Sequence, residues 1–167
     1  MPNLHLALAM PADIPAIQQL AQRTWRAHYP DIIGAAQTEY MLGKFYSEEG
    51  LRQQMDEGQQ FWLVQDSAAT EGGPLGFLAV SDQSEGRFFL HKFYLDNGRR
   101  GRGLGKIVFD LLLARCPSLR EMRLTVNRQN FKSINFYFRI GFTIEQCVDI
   151  AIGAGYEMND FRMLLKI

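Results

Sequence analysis

The spacing of apolar side chains predicts the first elements of this chain. Residues 4–10 alternate between apolar and shorter or polar side chains, which is the period of a half-buried strand. Apolar residues then recur every three or four positions over residues 14–28, which predicts an amphipathic helix of about four turns. Asp13 stands at the N-cap position of that helix, and Pro30 lies where the helix should stop.

The same spacing predicts further helices and strands. Residues 37–57 favour one or two helices, with Ser47 as an N-cap. Apolar runs separated by turns rich in Gly, Pro, Asp and Ser predict a meander of three strands, at residues 61–64, 75–80 and 87–95. The pattern then predicts a helix, a strand, a helix and two closing strands, at residues 104–115, 122–126, 131–140, 142–150 and 160–167. Such alternation predicts an α/β or α+β domain.

Length and charge describe one ordinary globular domain. The chain has 167 residues, of which 47% are hydrophobic, and it contains no repeat, linker or low-complexity tract. We therefore expect a single domain over residues 1–167. The 18 basic and 18 acidic residues cancel. This balance argues against a nucleic-acid binder whose affinity depends on a basic surface.

Cysteine usage and the first residues predict a cytoplasmic protein without a metal. Cys116 and Cys147 are far apart and show no CxxC or HxxxH spacing, so we expect neither a disulfide framework nor a metal site. The N-terminal sequence lacks the basic and apolar regions of a signal peptide. No apolar run approaches the roughly 20 residues that a membrane helix needs.

One loop combines the features of an anion site. The strand at residues 87–95 runs into a segment rich in glycine and arginine, residues 97–105, which leads at once into the next helix. Glycines let the backbone approach a ligand, and the first amides of a helix are unpaired and carry partial positive charge. The combination predicts a phosphate or pyrophosphate site. A tight turn with solvated arginines is the alternative.

Two common phosphate-binding patterns do not match this loop. A P-loop needs GxxxxGK followed by Ser or Thr, but Ile107 follows Lys106 and position 100 is arginine. A dinucleotide-binding GxGxxG lies in the first βα unit of a parallel sheet. Here Gly101, Gly103 and Gly105 have the spacing GxGxG and follow a predicted antiparallel meander.

The loop resembles the pyrophosphate loop of the GNAT superfamily of acyl-CoA N-acyltransferases. That family shows Q/R-x-x-G-x-G/A, which this chain carries as RGRGLG at residues 100–105. A second family pattern, N-x-x-[AS]-x-x-x-Y-x-x-x-G-F, is matched by Asn130, Ser133, Tyr137, Gly141 and Phe142. The order of elements also resembles the family along nearly the whole chain. Stretches such as TWRAHYPDIIG are similar to the branch that includes polyamine acetyltransferases.

This resemblance implies a fold and a cosubstrate. The fold would be an α+β (α/β) domain with a central mixed, mostly antiparallel twisted sheet of about seven strands, flanked by helices. The cosubstrate would be acetyl-CoA, with no metal. Its pantetheine arm would pair with the fourth strand and its pyrophosphate would rest on the loop. The resemblance assigns these residues to the cofactor: Phe93, Tyr94, Leu95, Arg100, Gly101, Arg102, Gly103, Leu104, Gly105, Lys106, Asn130 and Ser133.

The resemblance also assigns a catalytic role to Tyr137, as the donor of a proton to the departing thiolate. Several of the residues assigned by the resemblance have a structural alternative. Phe93 and Leu95 fit equally well as core strand residues and can be both core and ligand. Tyr137 lies beside Phe136 and Phe138 and could be a core aromatic, and Asn130 could be only a helix N-cap.

Candidates for the acceptor side come from regions that line it in the family: Tyr29, Asp31, His91 and Glu157, with Tyr40 and Asp160 as further polar residues. Acidic side chains there suit a cationic amine. His91 is a candidate base, because an imidazole is tuned for proton transfer near neutral pH. Deprotonation relayed by water is the alternative, and the one we favour.

The resemblance implies direct transfer of an acetyl group from acetyl-CoA to an amine. A polyamine or another small cationic amine is the expected acceptor. The alternative is a catalytically silent acyl-CoA sensor or binding module on the same fold. The expected partners are small molecules, with neither nucleic acid nor membrane, and the expected assembly is a monomer or homodimer.

Overall fold

The structure is a computed structural model that describes residues 2–96 and 103–167. Seven strands have these bounds: β1 Leu4–Leu8, β2 Gln60–Asp66, β3 Gly76–Asp82, β4 Arg87–Leu95, β5 Glu121–Asn127, β6 Thr143–Gly153 and β7 Tyr156–Lys166. The helices are α1 Ile14–His28, α2 Pro30–Ile33, α3 Ala35–Phe45, α4 Glu48–Asp56, α5 Leu104–Ala114 and α6 Phe131–Arg139, and a 3₁₀ turn spans Pro11–Asp13.

The strands follow the hydrogen-bonded order β1-β2-β3-β4-β5-β7-β6. The pairs β1–β2, β2–β3, β5–β7 and β6–β7 are antiparallel, whereas β4 and β5 pair in parallel. Because α5 connects β4 to β5, the parallel step has the crossover helix that such a connection needs. The predicted mixed, mostly antiparallel sheet of about seven strands is confirmed.

The chain divides into two compact units, and the first comprises Met1–Ser81 and Lys92–Pro117. It contains β1 to β3, the end of β4, and α1 to α5. The stripe of α1 that the sequence predicted is buried through Ile17, Ala21 and Trp25. The largest fully buried side chains of this unit are Ile14, Ile17, Leu51, Phe61, Phe77, Leu78, Phe109 and Leu112.

The second unit comprises Asp82–His91 and Ser118–Ile167. It contains the start of β4, then β5, α6 and the hairpin of β6 and β7. Its fully buried side chains are Met122, Leu124, Phe142 and Met163. Helix α6 buries Ile134 and Tyr137, whereas most of β6 is exposed.

The predicted helix ends agree with the structure in part. Ser47 is the N-cap of α4 and accepts a hydrogen bond from the Gly50 backbone N at 3.0 Å, as expected. Asp13 occupies the N-cap position of α1, but its carboxylate accepts from the Met10 backbone N at 2.8 Å, so it caps the preceding 3₁₀ turn instead. Pro30 follows the end of α1 and also starts α2, because proline suits the first turn of a helix.

The closing hairpin is longer than the sequence indicated. The strand predicted at residues 142–150 extends to Gly153, and the strand predicted from residue 160 begins at Tyr156. The reason is burial, because most of β6 is exposed on both faces and so lacks the apolar alternation of a half-buried strand.

Within residues 2–96 and 103–167, none of the helices has the length and apolar character needed to cross a membrane.

Candidate functional site

The turn between β4 and α5 forms the first part of the candidate site. Gly103 is the N-cap of α5 and adopts φ +72° and ψ +20°, a left-handed conformation that favours glycine. A Cβ atom at this position would meet nothing within 4 Å among the described residues. The glycine therefore keeps the helix start open on its outer side, where the unpaired amides of α5 can bind an anion. Three residues assigned to this loop, Arg100, Gly101 and Arg102, lie outside the described residues.

The first turn of α5 carries the remaining predicted loop residues. Leu104 and Gly105 are half-buried, and Lys106 is exposed. The Lys106 Nζ lies 2.8 Å from an Asp110 carboxylate oxygen one turn later. Because both side chains are exposed, this ion pair is weak and leaves the ammonium able to turn toward a phosphate.

The end of β4 is packed closely against β3 and α5. Phe93 contacts Phe109 of α5 with ring centroids 6.4 Å apart. On β3, a Cβ atom at Gly76 would overlap the carbonyl oxygen of Tyr94 and lie 2.9 Å from the Leu95 Cδ2. The backbone of residues 94–95 can therefore approach β3 this closely only because Gly76 has no side chain.

An aromatic cluster surrounds the side chain of Tyr94. Its ring lies 5.9 Å from Trp25 and 6.5 Å, edge to face, from Tyr29. Trp25 also contacts Tyr29 at 4.3 Å and Tyr46 at 5.5 Å. The structure thus brings together Tyr29, an acceptor candidate, and Tyr94, a cofactor candidate. The sequence analysis missed Trp25 and Tyr46 as members of this cluster, although the apolar stripe of α1 includes Trp25.

The aromatic cluster includes two phenol groups, those of Tyr46 and Tyr94, that are hydrogen-bonded to each other. Burial raises the pKa of the Tyr46 phenol, and a hydrogen bond from the Tyr94 side chain acts against that rise. Directly after β4, the Asp96 carboxylate forms an ion pair with Arg23 of α1, with 3.1 Å between Oδ2 and Nη2. Hydroxyl groups and charged side chains therefore lie around the end of β4 within the first unit.

The second motif lies in the second unit, at α6. Asn130 is 3% exposed and is the N-cap of α6, where its side-chain oxygen accepts from the Ser133 backbone N at 3.4 Å. The capping role of Asn130 is thus confirmed. Tyr137 is 9% exposed, with its ring 5.5 Å from Phe136 and 5.6 Å from Phe142. The ring of Tyr137 is packed in the core, as expected if this residue is a core aromatic.

The other acceptor candidates differ in burial. Asp31 is exposed on α2 in the first unit. In the second unit, His91 is half-buried with its ring 4.7 Å from Phe89, and Glu157 is exposed on β7 opposite Ala151. Among the further polar residues, Tyr40 of α3 is half-buried and its ring lies 5.9 Å from the Lys44 Nζ.

Asp160 is the exception among the acidic candidates, because it is 4% exposed on β7. Burial raises the pKa of its carboxyl to about 6, against the opposing effects of a hydrogen bond from Thr125 and the charge of Arg128. The Arg128 Nη1 lies 3.5 Å from the Asp160 backbone O rather than on the carboxylate. A carboxyl with a pKa in this range can take up and release protons near neutral pH.

Asp160→Asn is expected to remove a step in the pH dependence of stability. Because the folded pKa lies above the unfolded value, the proton stabilises the native state in full below about pH 4. This stabilisation is lost as pH rises through about 6. The difference between the folded and unfolded pKa of Asp160 corresponds to a loss of up to about 3 kcal/mol in the free energy of unfolding of the wild type. Urea unfolding between pH 4 and 8 measures it.

The Asn variant should show no such fall, and Asp56→Asn, at an exposed carboxyl of α4, should keep the wild-type profile. Equal slopes for the wild type and Asp160→Asn would contradict the shifted pKa.

Across the described parts of the chain, no three His, Cys, Asp or Glu side chains are grouped so that they could hold a metal ion. Cys116 is buried and Cys147 is exposed.

Comparison with known proteins identifies related sequences. The model of the acetyltransferase (GNAT) family matches residues 14–142. Peptidyl-lysine N-acetyltransferase YjaB of Escherichia coli (strain K12) is 30% identical over 71 residues, which cover 42% of this chain and 43% of that protein. The match therefore spans less than half the length of this relative.

Solved structures share the fold over the whole chain. PaiA N-acetyltransferase from Thermoplasma acidophilum, in complex with coenzyme A, matches with a TM-score of 0.76 and 22% identity over 99% of both chains. A spermidine N-acetyltransferase SpeG chimera from Vibrio cholerae and hSSAT matches with a TM-score of 0.66 and 16% identity, covering 98% of this chain and 95% of that one. At these identities the likeness shows the fold alone.

Proposed function

Because the chain belongs to the acetyltransferase (GNAT) family, we propose that it transfers the acetyl group of acetyl-CoA directly to an amine. The observation that carries the proposal is the start of α5. Among the described residues, Gly103 leaves room where a Cβ would otherwise stand, at the first amides of α5, the helix that follows β4 in the chain. A pyrophosphate needs this combination of open space and converging N–H donors.

Different segments of the chain would bind different parts of acetyl-CoA. The amides of residues 100–106 would bind the pyrophosphate, and the backbone of residues 93–95 would pair with the pantetheine arm. Asn130 and Ser133 would add contacts from α6. Acetyl-CoA supplies the activated acetyl group, so no covalent enzyme intermediate is needed when both substrates are held together.

Proton transfer is the remaining task of the side chains. An alkyl amine with a pKa near 10.4 must lose a proton before it can attack. Water relays that proton, with His91 as the alternative base. A backbone N–H of β4 would polarise the carbonyl as its oxygen becomes negative. Tyr137 donates a proton to the departing thiolate, which is a moderate leaving group with a pKa of about 8.5.

The acceptor we propose is a small cationic alkyl amine such as a polyamine. Asp31 and Glu157 are exposed carboxylates that could bind a distant ammonium group of such a substrate. One similar protein is named as a peptidyl-lysine N-acetyltransferase and one solved structure of the same fold as a spermidine N-acetyltransferase, and both names give an amine as the acceptor. A small-molecule or peptide amine is therefore the partner to test first.

A thiol-release screen with acetyl-CoA tests this function. We expect release of CoA-SH with polyamines, and slower or no release with neutral or anionic acceptors. Peptides containing lysine, amino acids and aminoglycosides complete the panel. Tight acetyl-CoA binding without thiol release from any amine would instead indicate the acyl-CoA sensor.

Gly103→Ala is expected to weaken acetyl-CoA binding while the fold persists. The new Cβ meets no atom of the described residues within 4 Å, and in this proposal it would stand where the pyrophosphate approaches the amides. Loss of one hydrogen bond to a charged group lowers affinity about tenfold to hundredfold. Calorimetric titration with acetyl-CoA measures the effect.

Gly34→Ala is the matched control. Gly34 is also the N-cap of a helix, has φ +83° and likewise leaves its Cβ position without neighbours. Gly103→Ala should lose about 1–2 kcal/mol of stability to backbone strain. Gly34→Ala should lose at least as much, because its ψ of 160° lies outside the left-handed helical region, but it should keep the wild-type affinity. Equal affinities in the two variants would show that the Gly103 turn does not bind the pyrophosphate.

A further inference from the structure

Lys92 of β4 is a buried cation within the first unit. The residue is 9% exposed, and its Nζ donates hydrogen bonds to the side-chain oxygens of Gln54 and Gln59. Burial lowers the pKa of this lysine to about 7. Among the described residues, both hydrogen-bond acceptors of Nζ are uncharged amides, so no carboxylate compensates for the buried charge.

The amide of Gln54 is held in a fixed orientation. Its Nε2 donates to the backbone O of Phe45 at 2.7 Å and to that of Gly50 at 3.0 Å. These two bonds settle which end of the amide carries the oxygen and aim that oxygen at Lys92. Lys92 is thereby tied to the junction where α3 ends and α4 begins.

Two aromatic rings complete the surroundings of the ammonium. The Nζ lies 5.1 Å from the ring centre of Phe61 and 5.9 Å from that of Tyr46. Both distances lie within the range of cation–π attraction, which is stronger in a desolvated site. Tyr46 in turn receives a hydrogen bond from Tyr94, and both tyrosines pack on Phe77, at 5.9 Å and 5.4 Å.

A continuous set of contacts therefore runs from the middle of β4 to its end. The ammonium group of Lys92 lies over the ring of Tyr46, and Tyr46 accepts a hydrogen bond from Tyr94. Tyr94 precedes the glycine loop by a few residues. We propose that Lys92 is a positioning residue for acyl-CoA binding, whose ammonium group holds Tyr46 and, through it, the Tyr94 end of β4. This role rests on the function proposed above.

The charge on Lys92 makes the role dependent on pH. The neutral amine still satisfies both amide oxygens, but it no longer attracts the faces of Tyr46 and Phe61. The affinity for acyl-CoA should therefore fall as pH rises through about 7. Losing the cation–π attraction would weaken binding roughly threefold to thirtyfold. Among the residues that the structure describes around Nζ, Tyr46 is the titratable group in contact with it. His28 and the Arg23–Asp96 pair lie around the aromatic cluster.

The test measures the Kd of acetyl-dephospho-CoA by calorimetry between pH 6 and pH 9. This probe lacks the thiol and the phosphate monoester of CoA, which titrate in or near the same range. The wild type should lose affinity as pH rises. Lys92→Met, which keeps the side-chain length and removes the charge, should give a flat profile at the weaker value.

A matched pair of glutamines checks that the charge is responsible. Gln59→Glu places a carboxylate beside Nζ and should keep the lysine protonated, moving the loss of affinity to higher pH. Gln60→Glu adds the same charge at an exposed neighbouring position and should leave the profile unchanged. Equal profiles for the wild type, Lys92→Met and Gln59→Glu would overturn the positioning role.

A second measurement is independent of the cofactor. In a Trp62→Phe background, Trp25 is the single tryptophan, and it contacts both Tyr46 and Tyr94. Its fluorescence should titrate near pH 7 in a way that Lys92→Met abolishes. Identical titrations would also overturn the role. Failure of the wild type to bind the probe at any pH would contradict the proposed function itself, and with it this role.

Discussion

Gly76→Ala is expected to lower the free energy of unfolding by about 3 kcal/mol or more. Gly76 is buried on β3, and its new Cβ would overlap the carbonyl oxygen of Tyr94 and crowd Leu95. Those contacts are with backbone, which cannot turn away as the end of a flexible side chain can. The neighbouring strand must shift, and the part that shifts is the segment proposed to pair with pantetheine.

Chemical denaturation and acetyl-CoA affinity measure the two consequences of Gly76→Ala. Gly43→Ala is the control, since Gly43 lies within α3 with open space at its Cβ position, and alanine favours a helix by about 1 kcal/mol. The control should therefore be neutral or more stable than the wild type. A Gly76→Ala protein with wild-type stability and affinity would show that β4 tolerates displacement at Tyr94.

Tyr137→Phe is expected to lower kcat by about 10²–10⁴-fold, the usual contribution of a general acid. The substitution keeps the ring and therefore the contacts with Phe136 and Phe142 that pack α6. It removes only the hydroxyl group proposed to protonate the thiolate. Because water can replace part of this function, we expect a loss toward the lower end, with little change in acetyl-CoA affinity.

Single-turnover kinetics should accompany this measurement, to establish that chemistry limits the rate. Tyr156→Phe removes a phenol hydroxyl from the same unit outside both motifs and should keep full turnover. If Tyr137→Phe also keeps full turnover while chemistry limits the rate, Tyr137 serves only the packing of α6.

The parts of the fold that alternate between buried and exposed positions could be predicted from the sequence. β5 has this alternation throughout, with Met122, Leu124 and Val126 buried, and it lies where the pattern placed it. Most of β6 is exposed on both faces, so its length left no trace in the hydrophobic pattern. Local capping bonds were similarly ambiguous, because a carboxylate such as Asp13 can accept from more than one nearby amide.

For the candidate site, sequence could identify the local motifs but not the distant partners. The start of α5 at Leu104 follows from the glycine loop, which is contiguous in the chain. Lys92 shares strand parity with the buried Phe88 and Leu90, a signal that the sequence analysis did not use. Its amide partners lie 33 and 38 residues away, and no pattern in a single sequence connects them.

The position of β6 also bears on aggregation. β6 is the last strand in the sheet order, so one edge of an exposed eleven-residue strand has no neighbouring strand in the described chain. Such an edge is a template for pairing with other molecules, and charged side chains oppose that pairing. Glu145 and Asp149 supply these charges and are bound by Arg123 and Arg128. Because the Arg123 hydrogen bond lowers the pKa of Glu145, we expect this carboxylate to stay ionised further into acid than a free glutamate, and an ionised edge opposes pairing along β6.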